Sequence, residues 1–251
     1  MFRPIVVIPV YNHDIYLPTL VGEIVRMELP CLLVDDGSDI GCAAVIDALQ
    51  ARYPKQVAVV RHDMNQGKGA AVLSGFKRAL SEGYTHGVQI DADGQHTITD
   101  MPLLVRLARE NPTAMVTGQP IFDESVPLNR LYFRYLTHYM VSINTLTFHL
   151  RDAMCGFRVY PLAITLKLDE RVHLGRRMDF DIDALVRLDW AGVPIVLQKT
   201  KVRYPVDGVS HFRLFADNAR ITKMHTHLFF GMLIRVPKLL FRRRTSTGTS
   251  A

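Results

Sequence analysis

The sequence predicts an α/β fold, with a mainly parallel central sheet that is covered by helices on both faces. Short apolar runs recur through the first 118 residues, and segments with helical periodicity separate them. Such runs are typical of strands buried on both faces of a parallel sheet, and their alternation with helices indicates a layered α/β domain. With 251 residues, the chain is long enough to bury a substantial core.

In chain order, the N-terminal part alternates strands with helices. We predict strands over 5–10, 31–34 and 57–60, a fourth ending at residue 90, and a fifth over 114–117. The predicted helices span 17–27, 40–53, 68–82 and 101–110. Turn residues bound these segments, as expected where strands and helices follow each other closely.

The pattern changes after residue 118. We predict a loop over 120–127, a long aromatic-rich helix over 128–150, a loop and strand over 152–160, and a helix beginning near Pro161. A helix over 180–191, a strand over 193–204 and a mostly helical segment over 212–241 follow. Since no repeat or linker divides the chain, we expect one domain over 1–211 and a helical extension over 212–251.

The positive charge is concentrated at the C-terminus. From Lys199 onward, eleven Lys and Arg against two Asp give +9, which leaves −3 of the total +6 for the rest of the chain. A polyanionic surface, either nucleic acid or anionic lipid, is the expected partner of such a segment. The apolar stretch 228–234 favours an amphipathic helix lying on lipid; the alternative is a helix that packs on the core.

Localisation follows from two further features. No apolar stretch approaches the ~20 residues that a membrane-spanning helix needs. Cys31, Cys42 and Cys155 fit no metal or disulfide spacing, which favours reduced thiols in a cytoplasmic protein. We therefore expect a cytoplasmic protein that is peripheral on the inner face of the inner membrane.

Polar side chains follow three of the predicted strands. Residues 11–13 (Tyr-Asn-His) follow the first strand, residues 35–38 (Asp-Asp-Gly-Ser) the second, and residues 91–96 (Asp-Ala-Asp-Gly-Gln-His) the fourth. Ligands of open α/β sheets bind at these carboxyl ends of the strands. The three clusters therefore predict one ligand-binding crevice.

Asp91, Asp93 and Gln95 supply hard oxygen ligands for a divalent cation. Oxygen ligands of this kind suit Mg²⁺ or Mn²⁺ that stays partly bound to substrate phosphates. The structural alternative is a polar loop that precedes the next helix. An EF-hand is excluded, because Pro102 stands where its last ligand, a Glu, would be.

Two more segments have both a structural and a binding interpretation. Residues 35–38 form either a turn with a helix cap or a contact to a base or ribose, through Asp36. Residues 65–69 (Asn-Gln-Gly-Lys-Gly) open a helix without matching a P-loop. Lys68, near that helix N-terminus, is a candidate phosphate contact, while the two glycines equally suit a local structural role.

Taken in order, residues 9–12 (Pro-Val-Tyr-Asn), 34–38, 65–69 and 91–96 resemble the family 2 glycosyltransferases of the GT-A fold. The resemblance is strongest to the dolichyl-phosphate-mannose-synthase-like branch, and within bacteria to the glycosyltransferases of aryl polyene lipid pathways. The marks of that bacterial subgroup are residues 151–158, 175–181 and 224–231.

The resemblance implies a metal-dependent, inverting transfer of a sugar from a nucleotide-diphosphate donor to a lipid or lipid-linked acceptor. It implies a nucleotide-sugar half over 1–118 and an acceptor half over 119–211. The implied metal ligands are Asp91, Asp93 and Gln95, with Mg²⁺ or Mn²⁺ as cofactor. The implied donor contacts are Pro9, Tyr11, Asn12, Val34, Asp36, Asp91 and Ala92, to which Lys68 is added from its own position.

The chain departs from that branch at three positions. His13 stands in place of Glu, Gln119 in place of Arg, and His211 in place of Lys. Losing an Arg and a Lys removes two phosphate contacts, which argues against a dolichyl-phosphate acceptor and a GDP-mannose donor. We therefore favour a UDP-sugar donor.

A hydroxyl acceptor would need a base to take its proton, unlike an anionic phosphate acceptor. Asp152 and Asp181 are the candidate catalytic bases, and the sequence does not separate them. Their neighbours Asp179 and Asp183 lie at a helix start, where a carboxylate also complements the helix dipole.

Two other functions remain open at this stage. One is a non-catalytic, basic domain that binds nucleic acid or a membrane, although the full set of metal ligands argues against it and we expect no nucleic-acid partner. The other is a nucleotidyltransferase, which usually carries a longer basic Gly-rich loop after the first strand. The oligomeric state is not predicted.

Overall fold

The computed structural model describes residues 1–121, 128–150, 153–201 and 214–241. These residues form a sheet of seven strands: β1 (Pro4–Val10), β2 (Cys31–Asp35), β3 (Val57–Arg61), β4 (His86–Gln89), β5 (Met115–Ile121), β6 (Arg158–Pro161) and β7 (Ile195–Lys201). The helices are α1 (Leu17–Arg26), α2 (Ile40–Arg52), α3 (Lys68–Ser81), α4 (Met101–Glu110), α5 (Leu128–Thr145), α6 (Leu162–Val172), α7 (Phe180–Ala191) and α8 (Leu214–Phe241).

The strand order in the sheet is β3-β2-β1-β4-β6-β5-β7. All neighbouring strands are parallel except β6, which runs antiparallel to both β4 and β5. The predicted α/β fold with a mainly parallel sheet is confirmed. The predicted boundary between the two halves, at residue 118, falls inside β5.

Side chains of β1 alternate between two hydrophobic layers, as the two-residue period of a strand requires. Val6 and Ile8 pack in the layer that contains α1, α2 and α4. Ile5 and Val7 pack in the layer that contains α3, α6, α7 and α8. Because both faces of the strand are buried, the sequence shows a continuous apolar run instead of alternation.

Two helices differ from their predicted extent or surroundings. Helix α5 ends at Thr145, short of the predicted residue 150, since Leu146 adopts a positive φ of 50° that a helix cannot continue. Helix α8 packs on the core through Met224, Leu228 and Met232, so the predicted extension shares its core with the preceding domain.

None of the described helices is both long and apolar enough to cross a membrane. The three cysteines are buried, and the described residues contain no disulfide bond between them. Most of the predicted loop over 120–127, and the residues Asp152, His211 and Arg242–Arg244, lie outside the described residues.

Candidate active site

The sheet order places the ends of β2, β1 and β4 side by side, and this brings the three polar clusters to one edge. Asn12 connects two of them. Its backbone N–H donates to Ser38 Oγ at 3.2 Å, and its side-chain Oδ1 accepts from Asp39 N at 2.8 Å. Asn12 adopts a positive φ of 52°, which Asn tolerates better than most residues. The three polar clusters of the predicted crevice therefore meet at this edge of the sheet.

Two of the predicted donor contacts lie beneath the surface of this crevice. Val34 is fully buried and pairs with Pro9 of β1 and Val60 of β3. Ala92 is only 4% exposed. The side chains of Val34 and Ala92 support the crevice from within the core, so neither presents side-chain surface to a nucleotide.

Asp36 has a structural role that the sequence did not reveal. Its carboxylate is buried and accepts hydrogen bonds from the backbone N–H groups of Gln66 and Gly67, at 2.9 and 2.7 Å. The Nδ1 atom of His62 lies 2.7 Å from Oδ1 of the same carboxylate, and its Nε2 lies 2.9 Å from Ser74 Oγ. Asp36 thus fixes the loop that follows β3, and its predicted ribose or base contact stays a prediction.

The glycines at 67 and 69 allow the start of α3 to approach the turn at residues 175–177. Gly67 has a φ of 105°, and a Cβ there would meet the Arg176 carbonyl oxygen at 2.6 Å. A Cβ on Gly69 would meet Cβ of Phe180 at 2.7 Å. The backbone N–H of Ala70 donates to the Arg176 carbonyl at 2.9 Å. Close packing therefore accounts for both glycines.

Lys68 bridges two carboxylates. Its Nζ donates to Asp91 Oδ2 at 2.8 Å and to Asp181 Oδ2 at 2.7 Å. Burial by itself lowers the pKa of this ammonium, but the charges of Asp181 and Asp91 outweigh it and raise the pKa above its usual value. Lys68 is therefore a fixed cation inside the site, and its predicted phosphate contact would compete with these two partners.

Asp91 and Asp93 have opposite pKa shifts. Burial raises the pKa of Asp91, but the Lys68 ammonium and His96 reverse this and hold it below the usual range. Burial and the charge of Asp91 raise the pKa of Asp93. Burial also lowers the pKa of His96, whose ring packs near Phe157. The negative charge of Asp91 therefore disfavours ionisation of Asp93, and a nearby cation would offset this repulsion.

The side chains at residues 91–95 fit a divalent cation. Both oxygens of the Asp91 carboxylate lie 2.8 Å from Lys68 Nζ, and Oδ1 of Asp93 accepts from the backbone N–H of Gln95 at 3.0 Å. The described part of the chain contains no group of three or more His, Cys, Asp or Glu arranged around a metal position. An ion that keeps water and phosphate ligands needs only one or two carboxylates, so the pair Asp91 and Asp93 is sufficient.

Of the two candidate bases, Asp181 lies among the described residues and Asp152 does not. Asp181 is 5% exposed; its Oδ1 accepts from Gln89 Nε2 at 2.8 Å, and its Oδ2 accepts from Lys68. A base needs an oxygen within reach of the acceptor proton. Both oxygens of Asp181 have partners inside the protein, and its assignment as a base stays a prediction. Asp152 lies outside the described residues and stays a prediction.

Arg158 is a buried residue whose hydrogen-bond partners the sequence does not reveal. It is fully buried and donates to the main-chain carbonyls of Ala153 and Asp181 and to Thr117 Oγ1. These bonds hold the loop before β6 against α7. The only available signal was an Arg in an otherwise apolar strand, which does not specify its partners.

Comparison with known proteins identifies the family. The family described as glycosyl transferase family 2 matches residues 5–165. A polyprenol monophosphomannose synthase of Mycolicibacterium smegmatis is 30% identical over 196 residues, covering 76% of this chain and 72% of that protein. An undecaprenyl-phosphate mannosyltransferase of Micrococcus luteus is 28% identical over 200 residues, covering 77% and 81%.

A solved structure shares the fold at low sequence identity. The mannosyltransferase of Pyrobaculum calidifontis, determined with GDP-Man and Mn²⁺, superposes with a TM-score of 0.57 at 16% identity, covering 95% of this chain and 73% of that one. The family match decides against a non-catalytic binding domain and against a nucleotidyltransferase. The chain is a family 2 glycosyltransferase of the GT-A fold, in the dolichyl-phosphate-mannose-synthase-like branch.

Proposed function

We propose that this enzyme is a metal-dependent, inverting transferase that moves a sugar from a nucleotide-diphosphate donor, with a UDP-sugar favoured, to a lipid or lipid-linked acceptor. The observation that carries the proposal is the pair of carboxylates Asp91 and Asp93 just after the end of β4, where the charge of Asp91 raises the pKa of Asp93 and a divalent cation would offset the repulsion between them. The relatives named for polyprenol and undecaprenyl phosphate support a lipid acceptor.

The donor would lie along the edge formed by the ends of β1, β2 and β4. Tyr11 and Asn12 follow β1, and Asn12 is hydrogen-bonded to the turn after β2, beside which a base and ribose would bind. Asp91, Asp93 and Gln95 would hold Mg²⁺ or Mn²⁺, which neutralises charge on the diphosphate leaving group.

The reaction exchanges one bond at the anomeric carbon. The acceptor oxygen attacks this carbon from the side opposite the diphosphate, the bond to the diphosphate oxygen breaks, and its electron pair leaves with the nucleotide. If the acceptor is a hydroxyl, its proton passes to a base, for which Asp152 and Asp181 are the candidates. If the acceptor is a lipid phosphate, as the names of the relatives suggest, no proton transfer is needed.

The exposed face of α8 supports a peripheral position on the inner face of the inner membrane. Phe230, Ile234 and Phe241 are 60%, 81% and 86% exposed, and Lys238 is exposed beside them. Apolar side chains with neighbouring basic groups favour an anionic lipid surface. This position would place the crevice near a lipid acceptor.

A screen of UDP- and GDP-sugars for Mn²⁺-dependent thermal stabilisation tests the donor, because a ligand that binds only the folded state raises its stability. Transfer from the best donor is then measured to undecaprenyl phosphate and to a lipid with a free hydroxyl. We expect stabilisation by a UDP-sugar and transfer to one lipid. The proposal is wrong if no nucleotide sugar stabilises the protein with metal, or if neither lipid is glycosylated.

A further inference from the structure

A line of buried polar side chains leads from the interior of the sheet to Asp91. Gln89 of β4 is fully buried and donates to Asp181 at the start of α7. Asp181 accepts from Lys68, and Lys68 donates to Asp91. Each link is a hydrogen bond of 2.7 to 2.8 Å, so the position of Asp91 depends through Lys68 on the buried residues Asp181 and Gln89.

We propose that Asp181 is a positioning residue that acts on Asp91 through Lys68, and that Lys68 is the permanent counter-cation of Asp91. The inference rests on the metal site of the proposed function and adds to it. Asp181 keeps Lys68 from neutralising Asp91, so that Asp91 stays an anionic ligand for the divalent ion.

The net charge of Lys68, Asp91 and Asp181 explains why Asp181 would favour metal binding. Lys68 and Asp91 alone would form a neutral pair, and an ammonium on a carboxylate repels a second cation. Asp181 adds a second negative charge on the far side of the same ammonium, so the three side chains carry a net charge of −1. Partly buried charges a few ångström apart interact strongly, which makes this balance relevant to metal binding.

The neighbouring residue Asp183 does not share the hydrogen bond that Asp181 accepts from Lys68. Both side chains are on the first turn of α7 and both are buried, at 5% and 3% exposure. Asp183 instead accepts from Arg187 and from the backbone N–H of Gly175. The carboxylate of Asp183 forms its bonds away from Lys68, so it serves as a matched control.

Asp181→Asn should fold, because its amide suits the surroundings. The Asn oxygen can still accept from Lys68. Gln89 now donates to Asp181 through Nε2; when its side-chain amide turns over, Oε1, which has no hydrogen-bond partner among the described residues, accepts from the Asn NH₂ instead. The substitution therefore removes one negative charge and keeps the contacts. Thermal unfolding of Asp181→Asn and Asp183→Asn checks that both variants are folded.

The test measures the affinity for Mn²⁺ at a fixed concentration of UDP and, in a separate series, of GDP. The electron paramagnetic resonance signal of free Mn²⁺ reports how much of the ion remains unbound. We expect Asp181→Asn to weaken Mn²⁺ binding about tenfold, since Lys68 would then neutralise Asp91. Asp183→Asn should bind Mn²⁺ within about twofold of the parent. The double variant Lys68→Met/Asp181→Asn removes one charge of each sign and should regain most of the lost affinity.

The outcomes separate this inference from the proposed function. If the parent binds Mn²⁺ with nucleotide and Asp181→Asn binds it equally well, Asp181 has no such role, although the metal site stands. If the double variant binds more weakly than Asp181→Asn, the effect of Asp181 comes from packing and the inference is wrong. If the parent binds no Mn²⁺ with either nucleotide, the metal site and the inference are both overturned.

Discussion

The backbone of Gly156 lies against the carboxylate of Asp91, so closely that a β-carbon on Gly156 would overlap both carboxylate oxygens. Gly156→Ala should therefore displace Asp91 while leaving the core intact. A displacement of about 1 Å in an active site can cost about 100-fold, and we expect a loss of that order in kcat/KM.

Gly22→Ala is the control for Gly156→Ala, because a β-carbon on Gly22 of α1 would meet nothing within 4 Å. It should keep full activity and gain a little stability, as Ala favours helices. Initial rates measure the activity of both variants, and thermal unfolding measures their stability. Full activity of Gly156→Ala would show that Asp91 need not stay where it is.

Asp93→Ala should remove metal-dependent nucleotide binding and leave the fold intact. Removing a partner of a metal ligand already costs about 10- to 100-fold, so losing a ligand should lower kcat/KM by more than about 100-fold. Circular dichroism and nucleotide titration with and without Mn²⁺ give the answer. Glu110→Ala removes an exposed carboxylate at the end of α4 and serves as control. Metal-dependent binding that persists in Asp93→Ala would contradict the assignment.

Asp36→Ala should destabilise the protein, because two backbone N–H groups and His62 lose their acceptor. Unsatisfied buried donors cost about 1–3 kcal/mol each, and we expect about 3 kcal/mol in the free energy of unfolding. The donor KM should rise more than kcat falls. Asp47→Ala, which removes an ion-pair partner that is 59% exposed, should cost less than about 1 kcal/mol. Equal denaturant midpoints for the two variants would contradict this structural role of Asp36.

His225 makes the stability of the fold depend on pH. Burial lowers the pKa of His225 to about 4, whereas in the unfolded chain it is about 6.5. Below pH 6.5 the unfolded state binds the proton more readily, so stability falls as pH falls from about 6.5 to 4. At pH 5 the loss from this group is about 2 kcal/mol.

His225→Gln should flatten the pH dependence, measured by urea unfolding at pH 5 and pH 7.5. His227→Gln changes an exposed neighbour on α8 and should keep the parent slope. His86 and His96, whose pKa values are also lowered mainly by burial, contribute to the slope in every variant. An unchanged slope in His225→Gln would show that His225 is not responsible.

Replacing Arg242, Arg243 and Arg244 with Gln should weaken binding to anionic vesicles and leave the apolar face of α8 unchanged. Each basic residue near an anionic leaflet contributes about 1 kcal/mol, and salt screens the attraction. Co-sedimentation at low and high salt, on anionic and neutral vesicles, measures the effect. Equal sedimentation of variant and parent on anionic vesicles would contradict the electrostatic part. If neither the variant nor the parent sediments with vesicles, the basic segment does not bind lipid.

The sequence was sufficient for the strands and helices of the N-terminal part, because a buried parallel strand and its covering helices leave distinct periodicities. It predicted that Asp91 and Asp93 lie at the carboxyl edge of the sheet, because both closely follow a strand. It did not reveal that Lys68 pairs with Asp181, 113 residues away, since spacing along a chain carries no information on such partners. The role of Asp36 was missed for a related reason: an acidic turn looks the same whether its carboxylate faces a ligand or a backbone amide.

The antiparallel strand β6 limits how the enzyme can move. Because β6 pairs with β4 on one side and with β5 on the other, backbone hydrogen bonds connect the strand that leads to Asp91 with β5. Opening the enzyme like a clamshell between these two strands would break those ladders. While the ladders are intact, the end of β4 therefore keeps a constant position relative to β5.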